Sequence, residues 1–162
     1  MPLLEDLYAK QRARLVELLP FFYSTSFTTL GVSPSSVTQT IPINADSHFV
    51  ARYVALTAFT GAANSQVVAA TIAPLLIQFL DTSSGRTIFD NAQPIASVVG
   101  GAASPSAQGS LPFIFPEPLL IKAAGSLNVT LTNIGATTFT RVDVSFPGFK
   151  VFKFGATSPA DM

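Results

Sequence analysis

The chain has no cysteine, no tryptophan, a single histidine and few charges. Each shortage closes off some chemistry. Without thiols there are no disulfide staples and no thiolate zinc sites. With no Trp and three Tyr, the aromatic platform on which sugars and bases stack is thin. One His and three Glu fall short of the ligand set of a multi-histidine metal centre. Charged residues are 11% of the 162, less than half the roughly 25% usual in soluble domains. Nine Lys/Arg balance nine Asp/Glu, and the longest basic cluster is the five-residue KQRAR at Lys10–Arg14. That excludes the electrostatic footprint of a nucleic-acid binder.

Long apolar runs are also missing, although the mean hydropathy is +0.46. The longest, Val67–Leu80, has fourteen residues and is broken by Thr71, Pro74 and Gln78; a spanning helix needs about twenty. The opening MPLLEDLYAKQR carries acids where a signal peptide carries positive charge. Neither a membrane span nor a secretion signal is expected, so the sequon Asn128-Val129-Thr130 reads as chance.

What is present is hydroxyl and phenyl: sixteen Ser, sixteen Thr and fourteen Phe. A surface kept soluble by hydroxyls, with a formal net charge of zero, has little to stop it associating. A self-associating subunit, a dimer or trimer, is the expectation.

Along the chain, PLLEDLYAKQRARLVELL at residues 2–19 carries an apolar stripe at helical spacing: Leu4, Leu7, Tyr8, Leu15, Leu18 and Leu19. Pro2 suits a first turn, Glu5 and Asp6 precede Lys10, Arg12 and Arg14, and Pro20 closes the segment. The basic cluster is then the polar face of this helix. FFYSTSF and GVSPSS read as a connecting segment over 21–36. Thereafter β-branched and aromatic runs alternate with turn residues. Strands are expected at Val37–Ile43, His48–Thr60, Thr71–Leu80, Arg86–Asp90 and Ile95–Val99. Further strands follow at Leu111–Phe115 continuing into Leu119–Lys122, at Ser126–Thr132, and at Phe139–Phe154 with a break at Pro147-Gly148. Gly100–Ser110 is the longest structureless stretch.

Strands without intervening helices cannot form a parallel sheet, whose crossovers need them. The fold class is therefore all-β, an antiparallel jelly-roll-like β-sandwich of about eight strands with an N-terminal amphipathic helix. The expected organisation is a helical arm at 1–20, a connection at 21–36, one sandwich domain at 37–155 and a tail at 156–162.

No constellation of catalytic residues stands out. His48 has Asp46 and Arg52 nearby in sequence, but no spacing supplies a nucleophile or a metal partner. Asp81 and Asp90 flank TSSGRTIF and could be drawn as an acid/base pair. The plainer reading has Asp81 capping a turn in which Gly85 takes the special dihedral. VGGAAS lacks the Lys and the helix of a phosphate loop. No enzyme, cofactor or metal is expected.

The second half of the chain resembles a known family. FLDTSSGRTIFD, LPFIFPEPLLIKAAGSLNVTLTN and the closing VDVSFPGFKVF are similar to the β domain of small virion structural proteins of tailed bacteriophages, above all capsid decoration, or cement, proteins. The matching residues are Gly85-Arg86, Pro116 to Ile121, Ser126 to Asn133 and Gly148-Phe149-Lys150, within a similarity covering roughly residues 48 to 154. The resemblance implies a virion protein made in the host cytoplasm, partnered by itself and by the major capsid protein, with no nucleic acid and no membrane. A head-fibre, neck or tail module binding a host receptor or glycan is the alternative. The helix lies outside the resemblance. Its leucine stripe, with Tyr8, is the expected partner-binding surface, and packing back on its own sheet is the alternative.

Overall fold

A computed structural model describes residues 2–64, 66–68, 73–98 and 113–153. Helix α1 (Pro2–Arg12) is followed by strands β1 (Val16–Leu30), β2 (Ser35–Pro42) and β3 (His48–Thr60). A 3-10 turn (Ala62–Asn64) leads to β4 (Gln66–Val68), β5 (Leu75–Asp81), β6 (Arg86–Thr87) and β7 (Gln93–Pro94). Then come a single helical turn α2 (Ile95–Val98), β8 (Phe113–Ile121), β9 (Ser126–Asn133) and β10 (Phe139–Lys153).

The strands form two antiparallel five-stranded sheets. In the first, β1, β10 and β3 lie side by side, and β4 and β8 both pair with β3. In the second the order is β2, β9, β5, with β6 and β7 both on β5. The chain crosses between sheets at β1–β2, β2–β3, β4–β5, β7–β8, β8–β9 and β9–β10. The order β1-β10-β3-β8 thus faces β2-β9-β5-β6, which is the jelly-roll arrangement.

Period-two alternation drives the packing. In β9 every second residue (Leu127, Val129, Leu131, Asn133) is buried and those between are not. β5 does the same with Leu75, Ile77, Phe79 and Asp81. Phe79 meets Phe146 of the opposite sheet edge-on, with centroids 5.3 Å apart, and Tyr23 meets Phe49 at 4.8 Å. Fully burying each such side chain is worth about 1.5–3 kcal/mol. Asn133 is the polar pin of this core. Its Nδ2 donates to the carbonyls of Gly31 and Thr137, and its Oδ1 accepts from Gly135 N–H.

β3 carries one extra residue against β10. Ser145 pairs Ala55 and Gly148 pairs Ala51, three steps on one strand against four on the other. Gly148 sits tight against β3; a side-chain carbon there would collide with the Val50 carbonyl.

Three expectations need correction. The helix stops at Arg12 instead of running to residue 19, because the chain turns at Arg14 (φ 55°). That turn is closed by Ala13, Arg14 and Leu15 N–H groups donating back to Ala9, Gln11 and Lys10. Residues 21–36 are not a connection: β1 fills Val16–Leu30 and pairs along its length with β10. Ile95–Val98 is a helical turn instead of a strand, with Ile95 and Val98 buried three residues apart. The expected loop at 100–110 and tail at 156–162 lie outside the described residues.

Candidate contact surfaces

Of the polar residues that looked most like chemistry, Asp81 and His48 make contacts that hold the local backbone. Asp81 accepts from Ser83 N–H (2.9 Å), Ser83 Oγ (2.6 Å) and Ser84 Oγ (2.6 Å). Burial raises its pKa, but these hydrogen bonds outweigh it and hold the carboxyl below its ordinary value. It is a turn cap, as expected, with Gly85 at φ 67°; Asp90 is exposed. His48 sits half-buried at the start of β3, and its Nδ1 accepts the Ala123 N–H at 2.9 Å. Burial, and then the charge of Lys122, hold its pKa below the ordinary value. Among the described residues there is no group of three or more side chains able to hold a metal, and no helix long and apolar enough to cross a membrane.

The leucine stripe is divided. Leu4, Leu7 and Leu18 are buried with Val50 and Val151, so α1 folds back on the outer face of its own first sheet. Tyr8, Leu15 and Leu19 stay exposed, Leu15 at 58%. Half of the expected partner surface is therefore spent inside the chain. The reason lies in β1: once Leu18 faces outward beside Val151, the sheet offers an apolar seat within reach of the helix.

Two further outward surfaces stand out among the described residues. On the second sheet β2 and β9 present matched hydroxyls and amides: Ser36 with Thr132 (3.0 Å), Thr38 with Thr130 (2.7 Å) and Thr40 with Asn128 (2.8 Å). The row is extended by Thr82 with Ser126 (2.7 Å). No charge interrupts β2 or β9. The first sheet carries an apolar concavity of about 340 Å³ lined by Pro20, Phe22, Tyr53, Pro147 and Phe149, with Arg52 over the Phe149 ring. Phe22 is 64% exposed beside it.

Sequence reasoning missed a third feature, Lys150. It is 6% exposed, lies 4.4 Å from the centre of the Phe21 ring and 3.7 Å from Asp46. Its place at alternating spacing behind Val142, Val144 and Phe146 was the available signal that it points inward.

The chain matches no protein-family model and no curated protein. Among solved structures it is similar to VP2 of infectious bursal disease virus in a subviral particle. The identity is 13% and the TM-score 0.32, over 88% of this chain and 38% of that one.

Proposed function

We propose that the chain is a non-enzymatic structural subunit of a virus particle, specifically a decoration or cement protein that lies on a tailed-bacteriophage head and bridges its capsid subunits. The observation that carries the reading is the hydroxyl–amide face of the second sheet. Burying an unpaired hydroxyl costs on the order of 1–3 kcal/mol. Here each hydroxyl already has a partner across the strands, so a flat protein surface covering the row has few donors left to meet: one O–H of the Ser36–Thr132 pair, one of the Thr38–Thr130 pair and the Asn128 amide N–H groups. A face without charge, whose hydroxyls are already paired across the strands, suits lasting contact between subunits better than turnover of a substrate. The residues that carry the family resemblance lie on the same framework. Gly85 occupies the β5–β6 turn, Pro116 to Ile121 lie within β8, Ser126 to Asn133 form β9, and Gly148 to Lys150 lie within β10.

The clamp in this reading is the sheet, since the helix is engaged within its own chain. Heads lacking the protein should bind the purified chain on their surface, seen by cryo-imaging. A Thr38→Lys/Thr130→Lys double variant, with two cations on that face, should bind at least about tenfold more weakly while unfolding at nearly the same temperature. Binding equal to the unaltered chain would remove the face from the contact. A chain that ignores heads but binds host cells or their glycans would favour the fibre, neck or tail position.

A further inference from the structure

The edges of the two sheets are not treated alike. An edge strand exposes unpaired N–H and C=O groups, and natural proteins blunt such edges with prolines, charges or short length. Most edges here are blunted: β4 has three residues, and β6 and β7 have two each. β8 carries Pro116-Glu117-Pro118 in its middle. Among the described residues the unblunted edges are β2, at eight residues, and the longer β1. It is fifteen residues long, lies at the end of its sheet, and from Phe21 to Leu30 has neither a proline nor a charge. Beside it runs β2, the neighbouring edge of the second sheet, which is uncharged as well.

We infer that the free edge of β1 is a homotypic strand-pairing site, on which a second copy of the chain adds its own β1 antiparallel about a two-fold axis near Ser24. Pro20 sets the parity. It has no N–H, and prolines sit in edge strands with that side turned to solvent, which leaves the N–H groups of Phe22, Ser24 and Ser26 on the open edge. An axis at Ser24 pairs Phe22 with Ser26 of the second copy and Ser24 with its own counterpart, so the open groups meet in register.

The same register suits the side chains. On the outer face, Pro20 lies beside Phe149 and Thr28 beside Arg141. The axis therefore brings the Arg141 cation of one copy toward the aromatic end of the other, with no like charges opposed. On the inner side, Phe21, 36% exposed in the single chain, meets Phe27 of the second copy and lengthens the core. A different protein's strand would have to be equally free of charge over ten residues. A second copy satisfies that by identity.

This pairing is a property of the purified chain, and it stands or falls separately from any place in a virion. The chain has no cysteine, so Ser24→Cys introduces a single thiol at the axis. Under mild oxidation it should form a disulfide dimer at least about tenfold faster than Thr57→Cys, an exposed position on the outer face of the central strand β3. In sedimentation at about 50 µM the unaltered chain should be associated. Ser24→Lys and Ser24→Glu should each weaken that association by at least about fivefold, and mixing the two should restore it. The inference is overturned if the unaltered chain is a monomer at that concentration, or if Ser24→Cys crosslinks no faster than the control. It is equally overturned if a folded Ser24→Lys protein associates like the original. Should the charged variants fail to fold, the crosslinking comparison decides alone.

Discussion

At the scale of single residues, His48 couples the fold to pH. Its Nδ1 must be unprotonated to accept the Ala123 N–H; a proton there would face one donor with another. Burial and Lys122 lower the folded pKa below the ordinary 6.5, so the unfolded chain takes up the proton first. The stability held by the neutral ring is therefore full above pH 6.5 and is lost as pH falls from there to the folded pKa. Asp81 acts in the same direction at lower pH, since its depressed pKa keeps it charged until the pH falls below 3.8. The two windows separate. In His48→Asn the amide oxygen can replace the Nδ1 acceptor without titrating. The urea midpoint of the original should fall between about pH 7.5 and pH 5, and that of the variant should fall markedly less. Equal slopes would show that His48 is not the titrating group. The role of His48 could not be read from its neighbours in sequence, because Ala123 reaches it through a tertiary contact; for Asn133 this holds only of the bond to the Gly31 carbonyl, since Gly135 and Thr137 lie two and four residues on. The Asp81 cap was legible because its partners are two and three residues away.

At the scale of elements, the boundary between α1 and β1 decides what the N-terminus does. Removing residues 2–12 should leave the sandwich folded but uncover Leu18, Val50 and Val151, the apolar seat of Leu4 and Leu7. Losing two buried leucines from the margin of a core costs on the order of 2–5 kcal/mol, visible as a lower unfolding temperature with retained β-type circular dichroism. Removing residues 1–20 should instead prevent folding, since it takes the first part of β1 and the outward Leu18. If both truncations behave alike, β1 does not begin where the ladder with β10 places it. The later strands were legible because alternation and turn residues agree there: His48–Thr60 matches expectation at both ends, and Ser126–Asn133 and Phe139–Lys153 nearly so. β1 was obscured by a conflict of periods. Leu15, Leu18 and Leu19 extend the helical stripe, while Val16, Leu18 and Pro20 share the outer face of a strand. The alternation of Phe21, Tyr23, Thr25 and Phe27 was the stronger signal, and the tertiary partner β10 settles the conflict in its favour.

At the scale of the whole molecule, the scarcity of charge becomes a statement about which forces hold an assembly. The surfaces assigned here to contact are the hydroxyl face of β2 and β9 and the open edge of β1, and neither carries a Lys, Arg, Asp or Glu beyond Glu17. Ion pairs across such contacts would weaken as salt shortens the Debye length from about 10 Å at 0.1 M to about 3 Å at 1 M. Backbone pairing and buried phenyl rings have no such dependence, and sulfate strengthens apolar burial because it is excluded from protein surfaces. Self-association and shell binding should therefore change less than about threefold between roughly 0.05 and 0.5 M NaCl, and should tighten in ammonium sulfate. Sedimentation for the first contact and a pelleting assay with heads for the second read the two separately. A tenfold loss across that salt range in either measurement would mean that charged residues elsewhere, such as Arg52 in the concavity of the first sheet or Arg86 and Lys122 beside the Asp81 turn, carry that contact.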